Sequence, residues 1–321
     1  MLAASGLAAA GLVLPRTAQG APAPARPGRT RSLRVAHLTD IHVQPELKAG
    51  EGLAACLHHV QSQKDKPDLI LTGGDSVMDS FEASIDRTKL QWDLWHSVFK
   101  SESAIPVESC VGNHDVFGWN KKNSKTTGKE PLWGKRMAEE MLRIPKRYRS
   151  FDRAGWHFVV LDSVFPSGKD GDSYTGRLDD EQMEWLKGDL AATKPTTPVL
   201  VLSHIPIVAA CVYFFEPRFK DGNWSVPGSW MHEDARDLAG LFLKHRNVKV
   251  CLSGHIHLID RVDFQGVTYL CNGAVSANWW KGRHQECDEG YGLLNLYDDG
   301  TFDHEYATYG WKAEPPAPKK K

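Results

Sequence analysis

Short apolar runs alternate with amphipathic segments along most of the chain. Six runs rich in Val, Leu and Ile have the length of buried strands, at 33–38, 68–71, 106–111, 156–161, 199–202 and 248–252. Four segments carry apolar residues at helical spacing, at 52–63, 89–99, 180–191 and 234–245. Beyond residue 260 the pattern changes to short strands joined by tight turns, at 261–264, 267–271, 293–297 and 302–306. A β-α-β-α order followed by a β-meander predicts a layered α/β fold with mixed sheets.

The two ends of the chain differ from this body. Residues 2–14 form an uncharged apolar run, too short to span a bilayer, which leads into small residues at Ala18 and Gly20. This pattern predicts a signal segment over 1–20, with a short Ala-rich helix as the alternative, and hence export to the periplasm or the medium. Because no positive charge precedes the apolar run, we expect a charged stretch, such as a twin-arginine one, upstream of residue 1. We further predict a linker over 21–31, one domain over 32–310 and an unfolded tail over 311–321.

Composition excludes several classes of protein. Hydrophobic residues make up 41% of the chain and charged residues 25%, which is typical of a folded globular protein. The net charge of -1 argues against a protein that coats nucleic acid or an anionic membrane. Six cysteines without a CxxC pair are not a disulfide framework. We expect Cys251 and Cys271, which fall in predicted strands, to behave as small apolar residues; the sequence leaves their pairing open.

A polar motif follows five of the predicted strands. In chain order these motifs are Thr39-Asp40-Ile41-His42, Thr72-Gly73-Gly74-Asp75, Gly112-Asn113-His114-Asp115, Ser203-His204-Ile205-Pro206 and Ser253-Gly254-His255-Ile256-His257. In an open α/β sheet the carboxyl ends of the strands share one crevice, so these segments can converge although they are far apart in sequence. A lone His or Gly-Asp after a strand says little. Five such motifs in this order indicate a site.

The residue types in these motifs are those of a metal centre. They supply two carboxylates, one carboxamide and four imidazoles but no thiolate, from Asp40, Asp75, Asn113, His42, His204, His255 and His257. Mixed oxygen and nitrogen donors suit Mn, Fe or Zn and disfavour Ca. Seven ligands are more than one tetrahedral ion binds, and they fit two ions if one carboxylate bridges the ions. Gly74, Gly112 and Gly254 would let the backbone turn sharply beside the ions.

With these motifs the sequence resembles the calcineurin-like metallophosphoesterase superfamily, over roughly residues 33–309. The resemblance implies an α/β fold, a four-layer αββα sandwich of two mixed β-sheets flanked by helices, with a dinuclear centre at the sheet edge. Carried over by position, Asp40, His42 and His257 would hold the first metal ion, and Asn113, His204 and His255 the second. Asp75 would bridge the two ions.

The resemblance also implies a mechanism. A hydroxide bridging two divalent or trivalent ions would attack phosphorus in line, and the ions would neutralise charge on the phosphoryl oxygens. His114 would donate a proton to the departing alkoxide. The sequence offers Asp115 or Asp79 as its partner and does not choose between them. The predicted catalytic residues are therefore His114 and Asp115.

Departures from known subfamilies narrow the expectation. Purple acid phosphatases place a tyrosine three residues after the bridging aspartate, where this chain has Met78. Protein serine/threonine phosphatases carry a Gly-Asp-x-Val-Asp-Arg-Gly motif, which 74–79 does not reproduce. The chain looks most like the bacterial group that includes class III cyclic-nucleotide phosphodiesterases. A segment common in that group is similar to Tyr174-Thr175-Gly176-Arg177-Leu178.

We therefore expect a phosphodiesterase that acts on a small phosphorylated molecule. A phosphomonoesterase, a nuclease of the same superfamily and a catalytically silent metal-binding protein are the alternatives; a nuclease would show a basic stripe that the net charge does not suggest. Two insertions, 117–136 and 211–230, and the patch Asn278, Trp279, Trp280, Lys281 and Arg283 are candidates for substrate contacts. A solvated charge run or a small satellite core explains them equally well. The sequence does not specify an oligomeric state.

Overall fold

A computed structural model describes residues 28–168 and 171–314. The strands are β1 Arg31–Leu38, β2 Leu69–Thr72, β3 Val107–Ser109, β4 Arg149–Arg153, β5 Trp156–Val160, β6 Val164–Ser167, β7 Ser173–Gly176, β8 Val199–Leu202, β9 Phe219–Lys220, β10 Asn223–Trp224, β11 Val248–Ser253, β12 Asp260–Phe264, β13 Val267–Cys271, β14 Gly290–Tyr297 and β15 Phe302–Thr308. The helices are α1 Ala49–Gln61, α2 Ile85–Glu102, α3 Lys121–Ser124, α4 Lys135–Met141, α5 Asp180–Ala192, α6 Val212–Phe215 and α7 Ala235–Lys244. A 3₁₀ turn, Asn113–Asp115, follows β3.

Two large mixed sheets organise these strands. Sheet I has the order β15-β14-β1-β2-β3, with β1, β2 and β3 parallel and β14 antiparallel to β1. Sheet II has the order β12-β13-β11-β8-β5-β4, with β13, β11, β8 and β5 parallel and the two outer strands antiparallel. In sheet II the parallel strands lie at the centre, and in sheet I they run from the central β1 to the edge strand β3; in each sheet their carboxyl ends meet at one edge.

Side chains from both sheets form the inner core, and helices cover each outer face. Val35 of β1 and Leu71 of β2 pack with Phe158 of β5 and Leu252 of β11 between the sheets. Successive residues of a strand point to opposite faces, so Ala36 packs outward. On that outer face of sheet I the core is completed by α1 and α2, through Leu53, Leu57, Trp92 and Trp95. On the outer face of sheet II it is completed by α5 and α7, through Leu186, Leu190, Leu238 and Phe242. The predicted αββα sandwich is confirmed.

The predicted strands and helices are all present, with ends displaced by a few residues. Acidic residues form the first turn of α5, and the Asp179 side chain accepts a hydrogen bond from the Gln182 amide as the N-cap. The expected β-meander after residue 260 is wrong. Strand β13 lies between β11 and β12 and runs parallel to β11, and the chain then crosses to sheet I as β14. Turn residues predicted the strand ends but carry no information on which strand becomes the neighbour.

The ends of the chain lie partly outside the described residues. The predicted signal segment, 1–20, and residues 21–27 of the predicted linker are outside them. Near the predicted linker end, Arg29 donates to the Asp303 carboxylate. At the other end Trp311 packs against the core of sheet I and Glu314 pairs with Lys48, while 315–321 are not described. Within the described ranges no helix combines the length and the apolar character needed to cross a bilayer.

Candidate metal centre

The predicted metal ligands meet at the carboxyl ends of the central strands. Sheet I contributes Asp40 and His42 after β1, Asp75 after β2 and Asn113 after β3. Sheet II contributes His204 after β8, and His255 and His257 after β11. All seven side chains therefore come from loops that leave a buried parallel strand. The crevice lies at the junction of both sheets, so each ligand group combines residues from the two layers.

The first cluster consists of Asp40, His42 and His257, whose potential ligand atoms all lie within 4.8 Å of one another. The His42 and His257 Nε2 atoms are 3.2 Å apart. The Asp40 Oδ1 atom lies 3.4 Å from His257 Nε2 and 3.9 Å from His42 Nε2. All three side chains are buried. These are the three residues that were predicted to hold the first ion.

The second cluster consists of Asp75, His204 and His255. Three potential ligand atoms surround His204 Nε2: Asn113 Oδ1 at 3.1 Å, Asp75 Oδ2 at 3.2 Å and His255 Nδ1 at 3.2 Å. A single hydrogen on Nε2 cannot satisfy three such neighbours. The four side chains predicted for the second ion are therefore together, and they surround one point.

The Asp75 carboxylate lies between the two clusters. Its Oδ2 atom is 3.2 Å from His204 Nε2 and 3.6 Å from His42 Nε2. Its Oδ1 atom accepts a hydrogen bond from the backbone amide of His114 at 2.8 Å. One carboxylate oxygen thus faces both histidine groups while the other is fixed by the backbone. This is the position that a bridging ligand requires.

Backbone carbonyls fix the outer nitrogen of three of the histidines. The His204 Nδ1–H group donates to Gly73 at 2.8 Å, and the His255 Nε2–H group donates to Ser229 at 2.8 Å. The His257 Nδ1–H group donates to Ala277. In each ring the opposite nitrogen is thereby left to face the cluster. Carbonyl partners of this kind orient the ligating histidines of metal sites and raise their basicity.

The backbone around the clusters is strained. Five predicted ligands have positive φ although none is glycine, namely Asp40, His42, Asp75, His255 and His257, with φ between 46° and 71°. Each such residue costs on the order of 1 kcal/mol, and such residues persist only where the surroundings enforce them. The loops are also tightly packed. A Cβ atom on Gly112 would lie 2.2 Å from Asp75 Oδ1, and one on Gly254 would lie 1.9 Å from Thr39 Oγ1.

The charges in the site are not balanced by the chain. Burial disfavours a charge on His204, but Asp75 and Asp40 outweigh it and raise the pKa of His204 to about 10. For His255, burial is the main cause, supported by the neighbouring His204, and lowers the pKa to about 4. Burial likewise places the pKa of His42 well below its usual value. A proton on His204 thus substitutes for a positive charge that the site requires.

The donor set fits two cations. The ring nitrogens face one another and two carboxylates rather than hydrogen-bond donors, which only a positively charged centre can reconcile. The His42 Nδ1 atom is buried and has no hydrogen-bond partner in the described part of the chain. The oxygen and nitrogen donors suit borderline ions such as Mn, Fe or Zn.

His114 lies beside the clusters on their more exposed side. Its ring is edge-on to the His42 ring, with centroids 4.8 Å apart, and a ring nitrogen groups with His42 and Asp75. The His114 side chain is 30% exposed, whereas His42 and Asp75 are buried. The His114 Nδ1 atom is 3.9 Å from Asp79 Oδ1. Burial raises the pKa of Asp79, although His114 opposes this shift.

Asp115 does not face the crevice. Its Oδ2 atom accepts a hydrogen bond from the Gly112 amide at 2.9 Å, and its Oδ1 atom accepts one from the Ser76 amide at 2.8 Å. Burial, and next the nearby Asp75, raise the pKa of Asp115 to about 7. The carboxylate joins the loops after β2 and β3. Of the two partners that the sequence offered for His114, Asp79 is the one that pairs with its ring; a catalytic role for Asp115 stays a prediction.

A sixth segment at this edge was not identified from the sequence as part of the metal centre. It follows β13, and its Ser276 hydroxyl donates to the Asp40 carbonyl at 2.8 Å while Trp280 Nε1–H donates to the His42 carbonyl at 3.0 Å. The Trp279 ring packs on the His257 ring with centroids 4.4 Å apart. The segment 272–280 reaches this edge because β13 runs parallel to β11, a pairing that is not visible in the sequence.

The residues predicted to contact substrate differ in their exposure and in their distance from the crevice. Trp280 is buried in the core, and Arg283 pairs with Asp288, so neither faces the crevice freely. In the insertion 117–136, Lys129 and Arg136 line a cavity of about 540 Å³ together with Trp119 and Trp133. In the insertion 211–230, Phe214, Phe219 and Trp224 are more than half exposed. Ser229, at the end of that insertion, reaches the site through His255.

A separate group of charged side chains, which is not part of the metal centre, lies at the same sheet edge, after β5. Asp162 Oδ2 is 2.5 Å from Lys135 Nζ and 2.6 Å from the Arg147 guanidinium. The same guanidinium is 2.6 Å from Asp179. Two carboxylates and two cations therefore neutralise one another. We refer to Lys135, Arg147, Asp162 and Asp179 as the Asp162 cluster.

Comparison with known families gives a match over most of the chain. The family model for calcineurin-like phosphoesterases matches residues 33–258, which include all seven predicted ligands. The family normally binds two metal ions. A probable cyclic nucleotide phosphodiesterase of Synechococcus is 24% identical over 282 residues, covering 86% of this chain and 92% of the relative. The 3′,5′-cyclic adenosine monophosphate phosphodiesterase of Escherichia coli K12 is 23% identical over 292 residues, covering 85% and 88%.

Solved structures support the fold. A dimetal phosphatase from Danio rerio superposes with a TM-score of 0.55 at 14% identity, covering 84% of this chain and 94% of that structure. The GAP50 anchor of the inner membrane complex of Plasmodium superposes with a TM-score of 0.51 at 16% identity, covering 89% and 87%. At such identities the likeness concerns the arrangement of sheets and helices alone.

Proposed function

Because the chain belongs to the calcineurin-like phosphoesterase family and is a phosphoric ester hydrolase, we propose that it is a dinuclear phosphodiesterase acting on a small cyclic or linear phosphodiester. The observation that carries this proposal is the Asp75 carboxylate, whose Oδ2 atom faces His204 on one side and His42 on the other. The relatives named as cyclic nucleotide phosphodiesterases support the diester as substrate class.

The residues divide into two ligand groups around Asp75. Asp40, His42 and His257 would hold one ion, and Asn113, His204 and His255 the other. Ions bound there would supply a nucleophile, by lowering the pKa of a bound water, and would neutralise charge that develops on the phosphoryl oxygens. The backbone of the chain orients the ligating histidines. The carbonyls of Gly73, Ser229 and Ala277 keep the ring nitrogens directed inward.

His114 is placed to serve the leaving group. It is the predicted site histidine whose ring is grouped with the buried ligands yet 30% exposed, so a substrate oxygen can approach it. The Asp79 Oδ1 atom lies 3.9 Å from the His114 Nδ1 atom, and the Asp79 carboxylate is itself held by the Phe81 amide at 2.8 Å. The His114 backbone amide binds Asp75, so the loop that presents the acid also fixes the bridging carboxylate. We therefore assign proton donation to His114 and its support to Asp79.

The test compares three esters on the full chain reconstituted with Mn. The substrates are 3′,5′-cyclic adenosine monophosphate, bis-p-nitrophenyl phosphate and p-nitrophenyl phosphate, and bound metal is measured by elemental analysis in parallel. We expect two equivalents of metal and faster turnover of the diesters. A preference for the monoester would make the protein a phosphomonoesterase. Two bound ions without turnover of any ester would make it a silent metal-binding protein.

A matched pair of variants separates site chemistry from contamination. Asp75→Asn changes the proposed bridging carboxylate and should abolish turnover. Asp65→Asn changes an exposed carboxylate that pairs with Arg31 far from the crevice, and it should leave turnover unchanged. Equal activity of both variants would assign the measured hydrolysis to another protein in the preparation.

A further inference from the structure

The cysteines are distributed unevenly through the fold. Cys56 lies in the core outside sheet I, Cys110 in the core between the sheets and Cys251 in the core outside sheet II. The other three, Cys211, Cys271 and Cys287, share one small core beside the metal crevice. We call it the cysteine core. All six are free thiols, and all are buried. The first three therefore belong to three different cores.

Two members of the cysteine core are brought together by Asp260. The Asp260 Oδ2 atom accepts a hydrogen bond from the Cys211 backbone amide at 2.9 Å. In the antiparallel pair of β12 and β13, Asp260 lies directly opposite Cys271, so the two side chains point to the same face. Both thiols lie in the same small core. The exposed fractions of Cys211 and Cys271 are 6% and 1%.

We propose that Cys211 and Cys271 are a modification site, which forms an intramolecular disulfide that fastens the start of the insertion 211–230 to the end of β13. The reactant is a low-molecular-weight disulfide such as glutathione disulfide. The Cys271 thiolate attacks one of its sulfurs, forming a mixed disulfide and releasing one glutathione thiol. Cys211 then attacks the Cys271 sulfur and releases the second. Two protein thiols are oxidised and one disulfide is reduced to two thiols.

The position of this bond relates it to the metal centre. Cys271 Sγ–H donates to the Gly254 carbonyl at 3.2 Å, and Gly254 directly precedes His255. The insertion that begins at Cys211 ends near Ser229, whose carbonyl orients the same histidine. A covalent bond here would therefore limit the motion of both segments that hold His255. Both thiols are buried in the folded chain, so the bond forms while the chain folds or opens locally.

The test uses the full chain and does not depend on activity. Purified protein is held in a glutathione disulfide buffer a few degrees below its melting temperature, which exposes buried thiols transiently, and is then alkylated in denaturant. We expect the free thiols to fall from six to four, a mass loss of about 2 Da and a linked peptide pair containing Cys211 and Cys271. The melting temperature should rise by on the order of 5 °C, because the bond closes a long loop.

Two controls define failure. Cys211→Ser should prevent the loss of thiols, whereas Cys56→Ser should leave the linked pair intact. In the wild-type chain, trypsin cleavage after the exposed Arg218 or Lys220 should leave the two fragments joined until a reductant is added. Six alkylated cysteines after the glutathione disulfide incubation, or a link that involves Cys287, would overturn the proposal. Both results are read on the wild-type chain, so they stand even if a serine variant does not fold.

Discussion

Two clusters of charged and titratable side chains lie at the carboxyl ends of the central strands, and they reach neutrality by different means. In the Asp162 cluster two cations lie within 2.6 Å of two carboxylates. In the candidate metal centre the ion-pair partners of Asp40 and Asp75, within the described residues, are histidines. One cluster is complete within the chain. The other requires positive charge from outside.

The difference separates a structural cluster from a reactive one. The Asp162 cluster joins α4 and the segment before β4 to sheet II, and its carboxylate oxygens are occupied by the chain. In the metal centre the same edge of the fold presents donor atoms to one another, and within the described residues no Lys or Arg pairs with Asp40 or Asp75. Buried polar groups without internal partners are costly, so an incomplete cluster is a stronger indication of function than a complete one.

The largest expected effect is loss of turnover on changing the shared carboxylate. Asp75→Ala removes the group that faces both ligand clusters, so binding of both ions should weaken and hydrolysis of bis-p-nitrophenyl phosphate should fall by at least about 10⁴-fold. Elemental analysis should show fewer than two equivalents of metal. Full metal content with normal turnover would show that Asp75 is not the bridging ligand. The proposed difference between the metal centre and the Asp162 cluster would then not hold.

His114→Ala should lower turnover in a way that depends on the leaving group. Loss of a general acid costs about 10²–10⁴-fold when the departing oxygen is basic, and little when it is p-nitrophenolate. We expect both metal ions to be retained, measured by elemental analysis beside the rates for an alkyl and a nitrophenyl ester. Equal losses on both esters together with a missing ion would identify His114 as a ligand, as its grouping with His42 and Asp75 would allow.

Asp162→Asn should affect stability rather than chemistry. The change removes the negative charge that both Lys135 and Arg147 contact. This is expected to lower the free energy of unfolding by about 3–5 kcal/mol. Turnover per folded molecule should stay near the wild-type value. Asp180→Asn is the control, since that carboxylate is fully exposed. Urea unfolding gives the first quantity; a large fall in turnover of the still-folded protein would contradict the division between the clusters.

The smallest expected effect is a pH dependence of stability at His157. When the ring is protonated, its Nε2–H group donates to Asp189 at 2.9 Å and its Nδ1–H group donates to Asp152 at 2.7 Å. The hydrogen bond to Asp189 raises the pKa of His157, although burial opposes the shift. The protonated ring therefore stabilises the fold below the ordinary value of 6.5, and this contribution is lost as the pH rises through the higher folded-state pKa.

His157→Gln should remove that pH dependence, with a loss of about 1.5 kcal/mol at low pH and less at high pH. Urea unfolding of both proteins across the neutral range measures the difference. Parallel curves for the two proteins would show that His157 does not titrate between the folded and unfolded states. The candidate metal centre should be insensitive to the change, because His157 lies on the strand rather than at its carboxyl end.

Much of the site could be predicted from the sequence because its residues occupy fixed positions after strands. Each ligand follows an apolar run by two to five residues, as Asp40 and His42 follow β1 and His204 follows β8. The topological rule for parallel strands then requires them to converge. The αββα layers were predicted in the same way, since strand and helix periods are local properties of the chain.

The sequence could not show which strands and side chains are neighbours in the fold. Nothing local in Val267–Cys271 shows that β13 pairs in parallel with β11, and so the support from Ser276 and Trp280 was missed. The partner of His114 was equally undetermined, because Asp79 and Asp115 are both near in sequence and only the fold directs Asp115 to the Gly112 amide. Contacts between distant backbone groups and side chains depend on tertiary structure.

The division of the ligands between the two sheets gives the inner core an influence on the centre. Asp75 belongs to one layer and His204 to the other, and the separation of the layers is set by residues such as Leu71, Leu202 and Leu252. A change of volume among these leucines would alter the spacing of the donors without touching any of them. Selection for a different ion could therefore act through substitutions remote from the crevice, leaving every ligand in place.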